Sequence, residues 1–190
     1  ARLAAMMAFS AIKNGDRVGL IAFTDRVEHF IPPKKGRKHV LRIIDEILRF
    51  DPIGAGTNLS EALEFIGRVQ RRKAVVFLIS DFLDEAYERP LHVAARRHDL
   101  IPLTVVDPVE GDLPDLGLLF LEDAETGEVM AFDSGLEGLR DHYRSKQTAR
   151  SERQKADLQR YGVSPIVVRT DAKDYAAPLI NFFRIRARRG

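Results

Sequence analysis

Between Lys73 and Asp81 the chain reads Lys73-Ala-Val-Val-Phe-Leu-Ile-Ser-Asp81, a continuous apolar run too short for a helix and rich in β-branched and aromatic residues. A strand apolar on both faces needs cover on both faces, as in a parallel sheet inside an α/β layer. Upstream, Arg2 to Lys13 is apolar almost all round and predicts a buried helix, stopped by Asn14-Gly15. Val18 to Phe23 and Val27 to Ile31 read as a hairpin ended by Pro32-Pro33, since proline cannot donate to a ladder. Val40, Ile44, Ile47 and Leu48 recur at helical spacing, with Arg42 and Glu46 paired on the outer face and Asp51-Pro52 closing the helix. Gly54-Ala-Gly56-Thr57 is a loop. Asn58 caps the helix that carries Leu59, Ala62, Leu63, Ile66 and Val69, and Glu61 completes the outline of a capping box.

Downstream of the apolar run, Asp84 to Arg97 predicts a helix broken or bent in its first half by Pro90. Leu100 to Val106 is a buried strand in which Pro102 delays regular pairing to about Leu103. An acidic loop spans Asp107 to Asp115. Leu118 to Leu121 and Val129 to Phe132 form a hairpin around Glu125-Thr-Gly127. Leu136 to Tyr161 is a long, largely exposed helix with a strongly polar middle, Ser145 to Gln154, where a break is expected. Gly162 stops it, Pro165 to Val168 is a last strand, and Ala177 to Arg188 a last helix with Leu179, Ile180, Phe182 and Phe183. Alternating strands and helices predict a single α/β domain over residues 1–190, with a C-terminal extension from about 118 to 190.

Composition narrows the function classes. The chain has 190 residues, enough for one well-buried core, and its net charge of +2 gives no global basic field for nucleic acid. With no cysteine, thiolate metal sites and cysteine nucleophiles are excluded, and a reducing, cytoplasmic compartment fits. No run approaches the roughly 18 apolar residues of a membrane span. The chain opens on Ala1-Arg2-Leu3 without an initiator Met, which suggests a segment of a longer protein.

The candidate chemistry lies at two polar stretches. Asp81 sits at the carboxyl end of the apolar strand, where open α/β sheets bind ligands. Thr57 lies in the glycine loop one helix upstream, and the two are expected to meet across one crevice. A hydroxyl and a carboxylate from adjacent loops suit a hard dication such as Mg²⁺, which takes oxygen ligands and keeps several waters. The competing account makes Thr57 a loop residue and Asp81 a helix cap. The glycines at 54 and 56 could cradle phosphate, but no Lys-Ser/Thr pair follows as in a P-loop. The five histidines (29, 39, 92, 98, 142) show no metal spacing and read as surface or partly packed residues. Ser80 has no strained Gly-x-Ser-x-Gly elbow around it. The basic stretch Lys34 to His39 and the arginines at 184, 186, 188 and 189 read as solvated charge, with anion or phosphate contact the alternative.

Three segments taken together carry a family resemblance: Asn14-Gly-Asp-Arg-Val-Gly-Leu-Ile-Ala-Phe23, Gly56-Thr57-Asn-Leu59 and Val76-Phe-Leu-Ile-Ser-Asp-Phe82. Their order resembles a von Willebrand factor A domain, and more narrowly the bacterial domain-of-unknown-function 58 family. Ala94-Ala-Arg-Arg-His-Asp-Leu100 followed by Asp107-Pro108 fits the same family. The resemblance implies a three-layer, doubly wound, mostly parallel sheet of Rossmann-like build with one antiparallel edge strand. It also implies a metal-ion-dependent adhesion site in which Thr57 matches the second-loop threonine and Asp81 the third-loop aspartate. Asp107, which ends the neighbouring strand, reads from the sequence itself as a turn residue, with added charge at the crevice the alternative.

The family's first motif, Asp-x-Ser-x-Ser, occurs nowhere in this sequence. Its absence implies an N-terminally truncated domain without its first strand, and a partial metal site that stays empty in this chain. The strands at Val18 to Phe23 and Ala74 to Ile79 would each flank the missing one. They are then expected to close on each other or to pair, through their exposed edges, with another copy. The function so implied is a non-enzymatic protein-interaction domain, Mg²⁺-dependent in the intact protein. Its implied partner is a MoxR-type AAA+ ATPase, in protein assembly or maturation. The alternative is a phosphate-handling α/β hydrolase using Asp81.

Overall fold

A computed structural model describes residues 2–84, 86–107, 115–122, 129–172 and 177–187. The acidic loop after Asp107, the turn at Glu125-Thr-Gly127, and Arg188 and Arg189 lie outside these. The chain divides into two compact units, residues 1–72 with 84–94, and residues 73–83 with 95–190.

The first unit holds helix α1 (Arg2–Asn14), strands β1 (Val18–Phe23) and β2 (Val27–Lys34), and helices α2 (Arg37–Arg49) and α3 (Leu59–Val69). Its core is Ala8, Ile31, Val40 and Ile43, with Ile12, Val18, Leu20, Ile44 and Ile47 packed against them. Helix α1 is not buried all round as its composition predicts: Leu3 and Ala8 are covered, while Phe9 is 50% exposed. Gly15 ends the helix at φ +67°, with the Asp16 amide donating back to the Ala11 carbonyl at 3.1 Å.

The hairpin runs three residues past its expected end. β2 continues through Pro32 and Pro33 to Lys34, which pairs with Val18. β2 is an edge strand, where proline's missing N–H is tolerated. Gly19 makes room for it: a Cβ there would lie 2.9 Å from the Ile31 carbonyl oxygen and 3.1 Å from the Pro33 ring. The register shift between Val18 and Leu20 falls at the same place.

The second unit holds a parallel sheet of β3 (Val75–Ser80), β4 (Asp99–Val106) and a short strand, Ile166–Arg169, in the order β3, β4, then that strand. Between β4 and this last strand come an antiparallel pair, β5 (Leu118–Glu122) and β6 (Val129–Asp133), and helix α5 (Glu137–Arg160). The short strand is therefore β7, and helix α6 (Ala177–Ala187) follows it. Helix α4 (Glu88–Arg97) begins in the first unit and ends in the second. It starts later than the sequence suggests, so Pro90 falls in its first turn, where no helical N–H bond is lost. The fold is mixed α/β with a small parallel sheet.

β4, not β3, is the buried strand. Residues Leu100 to Leu103 of β4 are all buried, whereas β3 buries only Leu78 fully. β3 has one ladder neighbour and β4 has two. Pro102 lies opposite Leu78 in the β3 ladder, while pairing with β7 starts at Leu103, as the proline predicts for that side. Among the described residues β1 pairs with β2, and β3 pairs with β4. Helix α5 is continuous through its polar middle, with Leu158 fully buried near its end.

Candidate functional site

The two candidate residues fall in different units, and each unit builds its own loop. The loop before α3 is held from three directions. The Glu28 carboxylate accepts the backbone N–H of Ile53 at 3.0 Å, that of Gly54 at 2.6 Å and the Thr24 hydroxyl at 2.7 Å. These bonds, the Ile53 amide first, hold the Glu28 pKa below its ordinary value. The Thr24 carbonyl accepts the Asn58 N–H at 2.7 Å. Asn58 in turn caps α3 by accepting the Glu61 N–H at 2.9 Å, and Asp84 accepts the Leu59 N–H at 2.7 Å. The Glu61 side chain pairs with Arg68, so only half of the predicted capping box forms.

Glycine is needed at two points of this loop. Gly56 lies at φ +82°. At Gly54 a Cβ would run into the Asp25 carboxylate and the Thr24 hydroxyl. Thr57 is half-buried within this clamped segment and has a bonding partner of its own.

The segment after β3 is equally constrained. Asp81 turns back on itself: its carboxylate accepts the Leu83 N–H at 3.1 Å and faces the Ser80 hydroxyl at 3.4 Å. The Ser80 hydroxyl accepts the Phe82 N–H at 3.0 Å. Between them Phe82 sits at φ +57°, a conformation costing a non-glycine residue about 1 kcal/mol or more. Burial of the Phe82 side chain offsets that cost. Helix α5 grips the same segment, Gln154 donating to the Asp81 carbonyl and Arg150 to the Leu83 carbonyl, both at 3.2 Å.

A Mg²⁺ ion wants about six oxygens. Among the described residues no three carboxylate or histidine side chains converge to hold a metal, and one Asp81 oxygen already accepts the Leu83 amide. Asp107 is half-buried just past β4 and has a bonding partner of its own.

The histidines are not uniformly superficial. His39 contacts the Val18 carbonyl at 2.8 Å, but His98 is only 3% exposed, with neither ring nitrogen hydrogen-bonded. Its burial, and Arg97 beside it, push its pKa down. Glu28, Asp84 and Gln154, the residues that shape the two loops, were not legible as such in the sequence. The partners Ile53, Leu59 and Asp81 lie 25 to 73 positions away from them and share no local motif with them.

The family profile described as "Protein of unknown function DUF58" matches residues 1–154. The chain is 30% identical over 188 residues to the uncharacterized protein Rv1480 of Mycobacterium tuberculosis, covering 97% of this chain but 59% of that protein. An uncharacterized protein of Mycobacterium avium is 32% identical over 162 residues, with 83% of this chain and 94% of the relative covered. Two solved structures share the fold. One is the conserved hypothetical protein BatB from Bacteroides thetaiotaomicron, with TM-score 0.55 at 18% identity over 96% of this chain and 85% of that one. The other is an aerotolerance-related membrane protein from Bacteroides fragilis, with TM-score 0.55 at 15% identity over 93% and 84%. By the extent of the profile match and the mycobacterial relatives, the chain belongs to the DUF58 family.

Proposed function

We propose that this chain is the interaction portion of a bacterial, cytoplasmic, non-enzymatic domain that works with a protein partner. In this reading the intact fold is the three-layer, doubly wound von Willebrand factor A-like sheet. Thr57 and Asp81 are then two ligands of a Mg²⁺-dependent adhesion-type site to which this chain contributes only part. The observation that carries the reading is the double anchoring of Ser80 to Leu83. Asp81 is pinned by its own turn and by Gln154, beside a Leu83 that is 44% exposed. A fixed carboxylate next to an exposed apolar side chain presents a recognition surface at little further entropic cost on binding. The similarity to an aerotolerance-related protein is compatible with a role in protein maintenance under stress. The partner in this reading is a MoxR-type AAA+ ATPase.

The test is immobilised binding of the full-length protein to a MoxR-type ATPase from its own organism, with Mg²⁺ and with EDTA. Binding is expected in Mg²⁺ and lost with EDTA, Thr57→Ala or Asp81→Ala. Equal binding across all of these would overturn the metal-dependent reading. Calorimetry on the 190-residue chain alone is expected to show no tight Mg²⁺ uptake. A phosphatase screen is expected to find no turnover. Turnover abolished by Asp81→Asn would establish the hydrolase alternative instead.

A further inference from the structure

Positive charge is concentrated in the first unit, where β2 meets α2. Residues 34–49 hold six Lys and Arg against two acidic residues, in a chain whose net charge is only +2. Lys34, Lys35, Arg37 and Lys38 fall close together, and all four are exposed. Among the described residues none of the four is ion-paired. The two acidic residues are held instead by arginines of α2 itself, Asp45 by Arg49 at 2.7 Å and Glu46 by Arg42 at 3.6 Å. Arg37 and Lys38 lie in the first turn of α2, which has no acidic residue and no side-chain cap. Cations there oppose the positive end of the helix dipole, so their placement works against the helix. An anion brought to that end relieves the repulsion among them and satisfies the dipole.

The backbone under these cations is fixed. Lys34 pairs with Val18 in the β1–β2 ladder, and the His39 ring meets the Val18 carbonyl at 2.8 Å. Val40 and Ile43 bury the inner side of α2 against Ala8 and Ile31, which leaves its outer side to solvent. On that side Leu41 is 43% exposed and Leu48 61%, two turns or about 10 Å apart along the axis. Arg37, Leu41 and Leu48 share one stripe of the helix, with Lys38 beside it. A soluble anion or a nucleic-acid strand would use the cations and leave the leucines in water. An outward helix face presents a ridge to a peptide, not a groove. A fluid anionic bilayer uses both kinds of side chain and needs no matching shape. Four or more Lys and Arg on a helix with exposed leucines are the pattern of docking on anionic lipid.

We propose that the outer face of α2, with Lys34 and Lys35, docks on an anionic phospholipid surface. Phosphate headgroups take Lys34, Lys35, Arg37 and Lys38, and Leu41 and Leu48 enter the headgroup boundary beside them. The contact is peripheral and reversible, because a few cations and two leucines fall well short of a stable anchor. It uses neither Thr57 nor Asp81, so it stands or falls independently of any metal. Being largely electrostatic, it is salt-dependent: the Debye length falls from about 10 Å at 0.1 M to about 3 Å at 1 M salt.

Co-sedimentation with vesicles tests this directly. The chain is expected to pellet at low salt with vesicles of equal parts phosphatidylglycerol and phosphatidylcholine, and not with phosphatidylcholine alone. High salt should release it, and EDTA should have no effect. Lys35→Glu and Lys38→Glu are each expected to weaken binding at least ~5-fold, and together to abolish it. Lys38→Glu puts a carboxylate in the first turn of α2, where it favours the helix, so the melting temperature is expected to hold or rise and unfolding cannot account for the loss. Leu48→Ser, at an exposed position, is expected to weaken vesicle binding at least ~5-fold and to leave binding to heparin, a soluble polyanion, unchanged. A chain that does not pellet with the phosphatidylglycerol vesicles at low salt would overturn the proposal. So would pelleting undiminished in the Lys35→Glu, Lys38→Glu double variant, which would place the contact elsewhere. Vesicle binding untouched by Leu48→Ser and displaced in full by duplex DNA or polyglutamate would assign the patch to a nucleic acid or an acidic protein and overturn it too.

Discussion

Leu158 is the single fully buried side chain of α5, a helix roughly 36 Å long whose surface is otherwise polar. The helix holds the Asp81 segment through Gln154 and Arg150, respectively one and two turns before Leu158. Leu158→Ala removes the buried anchor and leaves a cavity. A fully buried leucine truncated in this way costs about 2–5 kcal/mol, so roughly 3 kcal/mol is expected. For a chain of this size each kcal/mol shifts the melting temperature by about 2–4 °C, giving a loss of roughly 6–12 °C. Urea denaturation measures the free energy and calorimetry the temperature. Hydrogen exchange should show amides from Arg150 to Arg160 losing protection together with those of Phe82 and Leu83. Leu139→Ala, on the same helix at an exposed position, is the control and should stay within about 1 kcal/mol. If Leu158→Ala matches that control, α5 is not docked through Leu158 and the account of how the Asp81 segment is held fails.

Further consequences can be measured on the same chain. Gly54→Ala places a methyl group against Asp25 and Thr24 and is expected to cost about 1–3 kcal/mol, whereas Gly138→Ala, with open space around it, is neutral or stabilising by up to about 1 kcal/mol. Glu28 has a folded pKa below its ordinary value near 4.5, so its contribution is complete above that pH and is lost as pH falls through the folded value. Glu28→Gln should therefore flatten the acid limb of stability against pH, and an unchanged limb would mean that the clamp is not formed. His98 has a folded pKa below its ordinary value near 6.5, so the unfolded chain binds the extra proton and stability falls as pH drops below about 6.5. His98→Met should remove that loss and leave the protein no less stable at neutral pH, since the ring nitrogens it replaces make no hydrogen bond. A urea midpoint that still falls between pH 7 and 5 in this variant would place the proton elsewhere.

The order and type of the elements were legible because they rest on local signals: period, caps and stops. Gly15, Asn58 and Gly162 each end or begin a helix in the way that their residue types require. What could not be read was which apolar segment is most deeply covered. The residues of β3 and β4 are equally apolar, and depth depends on how many neighbours each strand has. The same holds for α1, whose composition suits burial on all sides while the first unit covers only one stripe of it. Pro32 and Pro33 misled for a different reason. Whether a proline ends a strand depends on which side its missing N–H would face, and here Gly19 vacates the space that the Pro33 ring needs.

The candidate site divides along the same line. Thr57 and Asp81 could be picked out because a glycine loop and a strand end are local features, but the groups that fix their loops are distant in sequence. Glu28 reaches its loop partners across the rest of β2 and the whole of α2. Gln154 reaches Asp81 from a helix whose polar sequence suggested solvent rather than a contact. Side chains that satisfy loop backbone carry no periodicity, since any Glu, Asp or Gln at the right place in space will do. Glu28→Asp puts this to a test. It keeps the charge but draws the carboxylate back by one methylene, so the bonds to Ile53 and Gly54 cannot both survive. If reach and not charge sets the loop, amide protection at Ile53 and Gly54 drops in Glu28→Asp as far as in Glu28→Gln. Full protection in Glu28→Asp would mean that electrostatic attraction alone holds the loop in place.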